Sequence, residues 1–490
     1  QILHAQDSPN DTIADNTVIY SQIPMPDGDS LSAVIVINKK QAEAPPAVLM
    51  YSIYASEKDL IRASIAANAG YAGIVVNTRG KNKSKSAVAP FKHDAEDAWY
   101  VLDWISKQPW CNGTIGMYGG SYLGFSQWAA VKKMHPALKT IVPQAAVGPG
   151  IDFPAHNGVS STYSLLWLKY VSDSKFIAQN MGGYWTSSGN KVYRYGYAFN
   201  TIDSLDSNKM TIFKEWMDNP TYSEYWQNMV PYGKEFAHIT IPVLSTTGYY
   251  DADQAGSLYY LREHYKYNRN AEHYLIIGPY DHFGAQGMQG ESVLDYKISP
   301  AANVNFTRIA FKWFDYVLKG KEKPAELKDR INYQVMGTDE WRHAPSLESL
   351  DSSMLTLYLS DKKRGKAFSL ELQEPLISTT IPLVIDLKNR KSESGSRMAN
   401  AKVVRKKFKD SQGLAFISEP FTENKVIAGC FNGELLVTIN KRDMDILLEL
   451  YEILPDGTYH NLSHYLARAS LIGNRSQRKL FTPGVISSLR

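Results

Sequence analysis

The chain has little of what would place it in several common protein classes. It contains only two cysteines in 490 residues, Cys111 and Cys430, which lie in different halves and cannot form a disulfide framework. No apolar run approaches the roughly 18 residues that a membrane-spanning helix needs. With 53 Lys and Arg against 49 Asp and Glu, the net charge of +4 is too weak to indicate nucleic-acid or anionic-membrane binding. The sequence therefore predicts neither a membrane span nor a nucleic-acid partner.

Sequence signatures of metal and nucleotide cofactors are also missing. The histidines show no spacing typical of metal ligands, and no Cys-x-x-Cys pair occurs. No Gly-x-Gly-x-x-Gly segment follows a predicted strand, so a dinucleotide site is not indicated. We therefore expect a protein that needs no metal ion and no organic cofactor.

The sequence does contain short apolar runs that alternate with helical segments. A hairpin is predicted at 17–37, where a Pro/Gly/Asp turn separates two β-branched runs. Helical periodicity follows at 60–69, 95–105 and 121–134, and strand-helix alternation predicts a mostly parallel sheet covered on both faces. Dense apolar runs typical of strands buried on both faces occur at 47–50, 74–76, 114–117, 140–142, 242–244 and 274–277.

The pattern changes at two points along the chain. Residues 151–235 are rich in tryptophan and tyrosine within mixed helical stretches, and we interpret them as a helical cap inserted between two strands of the sheet. After about residue 325 the helices give way to short strands separated by turns, which is typical of a β-sandwich. The predicted division is an α/β domain in two parts, the cap and the sandwich, at 1–150 with 236–325, 151–235 and 326–490.

The strongest local signal for chemistry is the segment 113–124, Gly-Thr-Ile-Gly-Met-Tyr-Gly-Gly-Ser-Tyr-Leu-Gly. A strand that ends in Gly-x-Ser and opens into a helix is typical of a nucleophile elbow, where a sharp turn exposes the serine hydroxyl. Ser121 is therefore the candidate nucleophile, although the usual motif has glycine where Leu123 stands, one residue before Gly124. The alternative is an ordinary strand-to-helix turn in which Ser121 only caps the helix.

A serine nucleophile needs a base, and the base needs an acid that orients it. The predicted strand at 242–244 leads to Asp251, and the strand at 274–277 leads to His282. Both residues follow strand ends, at the edge of a parallel sheet where Ser121 also lies and where such sheets bind ligands. The order Ser, Asp, His along the chain is that of an α/β-hydrolase.

Other residues fit these two roles less well. His273 opens its strand and would point to the wrong end of the sheet, whereas His282 follows the strand. Asp281 is adjacent to His282 in the chain and is poorly placed to orient it. Asp253 is the main rival to Asp251 as the orienting acid.

With these motifs the chain resembles the X-Pro dipeptidyl-peptidase family, a group with cocaine esterases, α-amino acid ester hydrolases and glutaryl-cephalosporin acylases. The resemblance extends from about Thr17 to the end of the chain, and in the family the serine motif reads Gly-x-Ser-Tyr-x-Gly, which Gly124 matches. It implies an α/β-hydrolase fold with an inserted helical cap, followed by a C-terminal all-β jelly-roll sandwich. The segments that carry the resemblance are Asn77-Thr-Arg-Gly80, Gly-Gly-Ser121-Tyr-Leu-Gly, Gly248-Tyr-Tyr-Asp251 and Gly278-Pro-Tyr-Asp-His282.

The resemblance also implies an oxyanion hole with two donors. One is the backbone N–H of the residue after the serine, Tyr122, and the other is a tyrosine hydroxyl from the loop after an early strand, Tyr54. Tyr51 is the nearest competitor for the second role. A phenol suits this role because its hydrogen bond strengthens as a carbonyl oxygen gains negative charge.

The resemblance to α-amino acid ester hydrolases implies a cluster of three carboxylates that binds the ammonium group of the substrate. Two of these acids directly follow the acid of the triad, where this chain has Asp253 and then Gln254, and the third lies at the start of the cap, near Asp152. The cluster is therefore partial. The alternative is that Asp253 only caps the helix that begins near Gln254.

Together these features predict a serine hydrolase that cleaves an ester or amide bond of a small acyl substrate through a covalent acyl-enzyme. Two alternatives stay open, an Xaa-Pro dipeptidyl-peptidase and a catalytically inert protein that binds a partner through its jelly roll. Because the family often works outside the cytoplasm and the chain begins at Gln1, we expect a removed export signal and a periplasmic or secreted protein. We also expect an incomplete jelly roll, and the sequence leaves a homo-oligomer open.

Overall fold

The computed structural model describes residues 15–172, 181–206, 210–351, 353–386, 388, 390, 402–406 and 413–490. Strands of the first part of the chain are β1 (Asn16–Pro24), β2 (Ser30–Asn38), β3 (Ala47–Ser52), β4 (Ala72–Asn77), β5 (Ile115–Gly120), β6 (Leu138–Gln144), β7 (Ala155–His156), β8 (Val159–Ser160), β9 (Val243–Tyr250), β10 (His273–Asp281), β11 (Ser292–Val293), β12 (Tyr296–Lys297), β13 (Ile331–Gln334) and β14 (Trp341–Ala344). The remaining strands are β15 (Tyr358–Arg364), β16 (Ala367–Glu371), β17 (Val404–Arg405), β18 (Phe416–Ile417), β19 (Leu435–Val437), β20 (Asp445–Ile453), β21 (Tyr459–Arg468) and β22 (Ser487–Leu489).

The α-helices lie almost entirely in the first two thirds of the chain. They are α1 (Asp59–Asn68), α2 (Asp94–Ser106), α3 (Tyr122–Lys132), α4 (Thr162–Ser172), α5 (Met181–Tyr195), α6 (Thr211–Asp218), α7 (Glu224–Gln227), α8 (Gln254–Tyr267) and α9 (Phe306–Lys319). Short 3-10 helices cover Phe199–Asp206, Gly233–His238, Gly284–Gln286, Pro300–Ala302, Glu348–Asp351 and Ala469–Leu471. Within the described residues no helix has both the length and the apolar character that crossing a bilayer requires.

One large sheet forms the centre of the molecule. Its ten strands lie in the order β1-β2-β4-β3-β5-β6-β9-β10-β13-β14. The predicted hairpin is confirmed, since β1 and β2 pair antiparallel, and from β4 to β13 all neighbouring strands are parallel. The predicted mostly parallel sheet is therefore confirmed.

The sequence explains why these strands lie in the interior. All six residues of β4, Ala-Gly-Ile-Val-Val-Asn, are buried, as expected for a strand with helices on both faces. Helix α9 buries Phe306, Ile309, Ala310, Trp313 and Phe314, a spacing that puts them on one face against the sheet. The side chain of Asn305 accepts a hydrogen bond from the Arg308 N–H at 2.8 Å and so caps this helix.

Between β6 and β9 the chain leaves the sheet and forms a layer of short helices, α4 to α7, preceded by the small hairpin β7–β8. The mixed helical stretches predicted within 151–235 include α6 and α7. The aromatic residues typical of this region share a hydrophobic core with the large sheet, with Trp216 and Trp226 almost fully buried. Trp167 of α4 contacts Tyr54, which follows β3, and Tyr122, which follows β5.

One strand assignment made from the sequence is wrong. The sandwich is predicted to begin after about residue 325, but β13 (Ile331–Gln334) pairs parallel with β10 and thereby extends the large sheet. The pattern of a short apolar strand after a turn does not reveal its partner, because β-pairing is decided by contacts distant in sequence. The residue boundaries proposed for the domains stay a prediction.

The C-terminal domain consists of β-strands. In its described residues β15, β16 and β18 form one small sheet, β17, β21 and β20 a second, and β19 with β22 a third. Its longest pair, β20 and β21, is antiparallel and leaves Leu447 and Leu448 substantially exposed, unlike the strands of the large sheet. An all-β domain is thus confirmed, while the complete jelly-roll arrangement stays a prediction.

Candidate active site

Three of the predicted site residues lie at the carboxyl ends of parallel strands of the large sheet. Ser121 directly follows β5, Asp251 directly follows β9, and His282 directly follows β10. Since β5, β6, β9 and β10 are consecutive neighbours in the sheet, their ends bring the three side chains to one edge. This is the edge at which open α/β sheets bind ligands.

Ser121 lies on a sharp turn with strained backbone geometry. Its φ of 63° and ψ of −123° are rarely adopted by a residue with a side chain, and such strain costs on the order of 1–3 kcal/mol. The turn is held because the Ser121 N–H donates to the Gln144 carbonyl at 2.9 Å and the Phe125 N–H donates to the Ser121 carbonyl at 3.0 Å. Ser121 makes no side-chain capping bond to α3, so the capping alternative is wrong.

Close packing explains why a glycine, Gly124, stands three residues after Ser121. A Cβ on Gly124 would lie 2.7 Å from the Ala146 Cα and 2.9 Å from the Gln144 carbonyl oxygen. Helix α3 therefore approaches the end of β6 more closely than any other residue type would allow. In this chain the close approach occurs at Gly124, so Leu123 can occupy the position where the usual elbow motif has glycine.

The His282 ring is oriented by Asp251. The His282 Nδ1 lies 2.9 Å from the Asp251 Oδ1, and the other carboxylate oxygen accepts a hydrogen bond from the Thr247 hydroxyl at 2.8 Å. The Asp253 N–H donates to the Asp251 Oδ1 at 3.0 Å, so the carboxylate is fixed on both sides. Asp251 is buried, while the His282 side chain keeps 25% of its surface exposed and is accessible to a substrate.

Asp281 and His273, the alternatives to Asp251 and His282, contact other groups. The Asp281 Oδ1 accepts the Gly284 N–H at 2.7 Å and thus stabilises the turn after β10. His273 is fully buried, with its Nε2 at 2.8 Å from the Ser245 hydroxyl and its Nδ1 at 3.2 Å from the His264 Nδ1. Both residues therefore serve the local structure.

Asp253 lies beside the His282–Asp251 pair. Its Oδ2 is 3.4 Å from the His282 Nδ1, and although it precedes α8 it makes no side-chain capping bond to that helix. The alternative that it only caps the helix is therefore wrong. Burial raises the pKa of Asp253 to about 7, with the charge of His282 opposing the shift and that of Asp251 adding to it.

Asp152, which lies between β6 and β7, interacts electrostatically with Asp253 and Asp251. Its Oδ1 accepts the Gly148 N–H at 2.9 Å, and its Oδ2 accepts the Gly256 N–H from α8. A Cβ on Gly256 would lie 2.5 Å from that oxygen, so only glycine permits this contact. Burial, together with the charges of Asp253 and Asp251, raises the pKa of Asp152 well above its usual range.

The Gln254 side chain contacts the backbone and adds no carboxylate to this group of acids. Its Nε2 donates to the Gly248 carbonyl at 2.7 Å, which ties the start of α8 to the end of β9. The acidic region therefore contains Asp152, Asp251 and Asp253. Burial alone would lower the pKa of His282, but the charges of Asp253 and Asp251 outweigh it and raise the pKa to about 9.

Tyr54 approaches Ser121 from the opposite side. Its hydroxyl accepts the indole N–H of Trp167 at 3.0 Å, and the nearby Ser121 side chain lowers the pKa of the phenol. Burial raises the pKa of Tyr54 to about 12, so the phenol stays protonated at neutral pH. The competitor Tyr51 points into the hydrophobic core, where its hydroxyl has no hydrogen-bond partner among the described residues.

Tyr122 begins α3, so its backbone N–H has no carbonyl one turn earlier in the helix to bond with. Its ring is buried, and its hydroxyl donates to Asp94 at 2.8 Å. The Tyr122 ring stacks against Trp167 of α4 with 5.9 Å between the centroids. Sequence reasoning did not identify Trp167 or Asp94, and the only signals were the abundance of tryptophan in the cap and an acid at the start of a helix.

A metal ligand set is also conceivable from the same side chains. Within the described ranges the one group of three acids, histidines or cysteines with donor atoms close together is Asp251, Asp253 and His282. These atoms are already engaged with each other through the Nδ1–Oδ1 contact and the neighbouring carboxylate. The arrangement is that of a histidine held by acids.

A serine on a strained elbow, a histidine paired with an acid, and this order of sheet strands define the α/β-hydrolase class. Two sequence families match the chain, X-Pro dipeptidyl-peptidase (S15 family) over residues 27–284 and the X-Pro dipeptidyl-peptidase C-terminal non-catalytic domain over residues 325–490. The chain belongs to the X-Pro dipeptidyl-peptidase (S15) family and is a serine hydrolase. The resemblance seen in the sequence is thereby confirmed.

Individual relatives extend this similarity over most of the chain. Cocaine esterase of Rhodococcus sp. (strain MB1 Bresler) is 23% identical over 478 residues, which cover 90% of this chain and 81% of the esterase. The structure of an aminopeptidase from a marine-sediment Thaumarchaeota archaeon covers 100% of this chain and 87% of its own, at 18% identity and a TM-score of 0.72. An α-amino acid ester hydrolase covers 97% and 85%, at 20% identity and a TM-score of 0.72. The TM-scores of these two structures show that they share the fold of this chain.

Proposed function

We propose that this serine hydrolase cleaves ester or amide bonds of acyl substrates, with Ser121 as nucleophile, His282 as general base and Asp251 as the acid that orients the base. The observation that carries the proposal is a strained Ser121 at the same sheet edge as a His282 whose Nδ1 lies 2.9 Å from a buried carboxylate of Asp251. Strain at Ser121 is expected where a turn must expose a hydroxyl. The contact at Nδ1 leaves Nε2 as the proton acceptor.

The reaction then proceeds as acyl transfer in two steps. The Ser121 Oγ attacks the substrate carbonyl carbon while His282 takes the hydroxyl proton, and Asp251 stabilises the resulting imidazolium. His282 passes that proton to the departing alcohol or amine, and the bond to the leaving group breaks to give an ester on Ser121. Water, deprotonated by His282, attacks this ester; the bond between the acyl carbon and the Ser121 Oγ breaks, His282 returns the proton to that oxygen, and the acid is released.

Two neutral donors would stabilise the tetrahedral intermediate. We assign these roles to the Tyr122 N–H, at the start of α3, and to the Tyr54 hydroxyl beside Ser121. Donors of this kind act on the oxygen that becomes negative, and removing one typically costs 10²–10³ in kcat. The high pKa of Tyr54, caused by burial, favours a donating phenol over a phenolate.

The acidic side of the site suggests what the acyl group carries. Asp253 lies next to the histidine, Asp152 interacts electrostatically with Asp253, and Gln254 does not add a third carboxylate to them. A substrate ammonium group would relieve the repulsion among these acids. The family relative described as an α-amino acid ester hydrolase has the same overall fold. We therefore propose α-amino acyl esters or amides as the preferred substrates.

An Xaa-Pro dipeptidyl-peptidase is the second candidate function. The observation that favours it is the same acidic pair, because the free amino terminus of a peptide would neutralise Asp253 and Asp152 equally well. The family description names that activity as well. The two functions differ in the leaving group and in the requirement for proline next to the scissile bond.

A substrate panel separates these candidates. We expect wild-type protein to hydrolyse p-nitrophenyl esters, with phenylglycine methyl ester preferred over an ester that lacks the amine. Glutaryl amides test the acylase activity, and Ala-Pro anilide tests the peptidase. Ser121→Ala should abolish turnover of every substrate, and activity that survives in this variant would contradict the proposed nucleophile.

A further inference from the structure

Asp94 contacts the side chain of Tyr122, one of the two residues assigned to the proposed oxyanion hole. It is the first residue of α2 and is 3% exposed. The Tyr122 hydroxyl lies 2.8 Å from its Oδ1 and 2.9 Å from its Oδ2, so the phenol donates to the carboxylate between both oxygens. The same phenol oxygen accepts the Phe91 N–H at 3.2 Å. The hydroxyl end of Tyr122 is therefore fixed by two residues, the Asp94 carboxylate and the Phe91 backbone N–H.

Burying a carboxylate in order to anchor a tyrosine costs free energy. Burial raises the pKa of Asp94 to about 7, and the Tyr122 hydrogen bond opposes that shift. A core residue of similar size would remove this cost, because replacing buried polar groups with well-packed apolar ones is often neutral or stabilising. The position of the carboxylate therefore requires an explanation beyond packing.

The second partner of this phenol, Phe91, links it to the other oxyanion donor. Phe91 has a φ of 72°, which is uncommon for a residue with a side chain. Its ring stacks on Trp167 with 5.7 Å between centroids and 18° between planes. The indole N–H of Trp167 donates to the Tyr54 hydroxyl at 3.0 Å. One continuous set of contacts thus runs from Asp94 to both proposed donors.

We propose that Asp94 is a positioning residue of the oxyanion hole. By holding the Tyr122 phenol it fixes the start of α3, where the Tyr122 N–H lies. Through the phenol, Phe91 and Trp167, it also helps to fix the Tyr54 hydroxyl. The inference rests on the proposed function, because it presupposes that these two groups receive the oxyanion.

The expected effect follows from the geometry that catalysis demands. A misplacement of about 1 Å caused by a change distant from the reacting atoms can cost about 10²-fold in rate. Because the oxyanion exists only after attack, a displaced donor lowers kcat and leaves KM nearly unchanged. A residue with a merely structural role would lower the melting temperature without this separation.

The chain offers a matched control one turn further along α2. Asp97 is also buried, at 1% exposure, but its carboxylate binds Arg79, with Nε at 2.7 Å and Nη2 at 2.8 Å. Asp97 is therefore an equally buried acid on the same helix that anchors a different partner. Asp97→Asn should lower the melting temperature and leave kcat unchanged.

The test compares Asp94→Leu, Tyr122→Phe, Asp94→Asn and Asp97→Asn with wild type, using p-nitrophenyl ester hydrolysis and inhibition by a trifluoromethyl ketone. We expect Asp94→Leu and Tyr122→Phe to lose roughly 30–100-fold in kcat and a similar factor in ketone affinity, with KM within about twofold. Asp94→Asn keeps an acceptor for the phenol and should recover most of the loss. If Asp94→Leu does not fold, Tyr122→Phe decides, since it removes the same hydrogen bond without deleting the acid.

Two results would overturn the inference. One is wild-type kcat and ketone affinity in Tyr122→Phe and in any folded Asp94→Leu, and the other is an equal loss of kcat in Asp97→Asn. Labelling of wild-type Ser121 by a fluorophosphonate separates this failure from failure of the proposed function. A labelled wild type with an unimpaired Tyr122→Phe overturns only the inference, whereas an unlabelled wild type overturns both.

Discussion

The two sides of Ser121 are built from opposite kinds of side chain. On one side His282 lies among carboxylates, with Asp251 at 2.9 Å and Asp253 at 3.4 Å from its Nδ1. On the other side the Tyr54 hydroxyl accepts the indole N–H of Trp167, which stacks on neighbouring rings. The first side is built mainly from acids and the second mainly from aromatic rings.

This difference separates proton transfer from stabilisation of the oxyanion. The acidic side holds groups that titrate in the working range, since burial and neighbouring charges raise the pKa of Asp253 to about 7 and that of His282 to about 9. On the aromatic side burial raises the pKa of Tyr54 to about 12. Changes of pH should therefore act on the base through the first side, and changes of geometry should act on the oxyanion donors through the second.

The largest effect is expected from the acid that orients the base. Asp251→Asn should lower kcat by about 10⁴, because an amide at this position favours the wrong histidine tautomer. Asp281→Asn is the matched control, since Asp281 bonds the Gly284 N–H instead of the His282 ring. Steady-state ester hydrolysis measures both variants. Equal losses in the two would show that the assignment of the acid is wrong.

On the aromatic side, Tyr54→Phe should lower kcat by about 10²–10³ through loss of one oxyanion donor. Tyr51→Phe provides the comparison, because the Tyr51 hydroxyl is buried in the core without a partner among the described residues. We expect near-normal activity in that variant. If Tyr51→Phe were the impaired protein and Tyr54→Phe the normal one, the two tyrosines would have to exchange roles.

A smaller effect is expected in the pH dependence. The base acts in its neutral form, so kcat/KM should rise with pH until His282 loses its proton, near its raised pKa of about 9. Asp253→Asn removes a negative charge 3.4 Å from Nδ1 and should move this limb to lower pH. Tyr54→Phe should leave the pH at which kcat/KM rises unchanged. A pH profile that Asp253→Asn does not move would contradict the electrostatic part of the comparison.

The smallest effect concerns stability. The folded-state pKa of Asp253 is raised above that of the unfolded chain by burial, so stability present at low pH is lost as pH rises through about 7. His282 acts with the same sign, because its pKa is also raised and its contribution disappears as pH rises through about 9. Melting temperatures between pH 5 and pH 8 should fall in wild type. The slope should be shallower in Asp253→Asn, and an unchanged slope would contradict this origin.

Much of the acidic side could be predicted from the sequence. Ser121, Asp251 and His282 each follow a dense apolar run, and a residue directly after a parallel strand has a known place at the sheet edge. Local sequence patterns were therefore enough to predict the positions of these three residues. Asp253 was also identified, but only the structure distinguishes its approach to His282 from helix capping.

The supports of the aromatic side could not be predicted in this way. Asp94 and Tyr122 are 28 residues apart, and Tyr54 and Trp167 are 113 apart, on elements whose packing is not visible in local patterns. The same limit explains β13, whose sequence indicated a strand but not its partner in the large sheet. Contacts distant in sequence decided all three cases.

The most direct test of the central claim is the mass of the intact protein after reaction with a fluorophosphonate. We predict one adduct per chain in wild type, located on Ser121 by peptide mapping, and none in Ser121→Ala. The folded Asp281→Asn variant should label as wild type does. An unlabelled wild type, or an adduct that persists in Ser121→Ala, would contradict the assignment of Ser121 as the nucleophile.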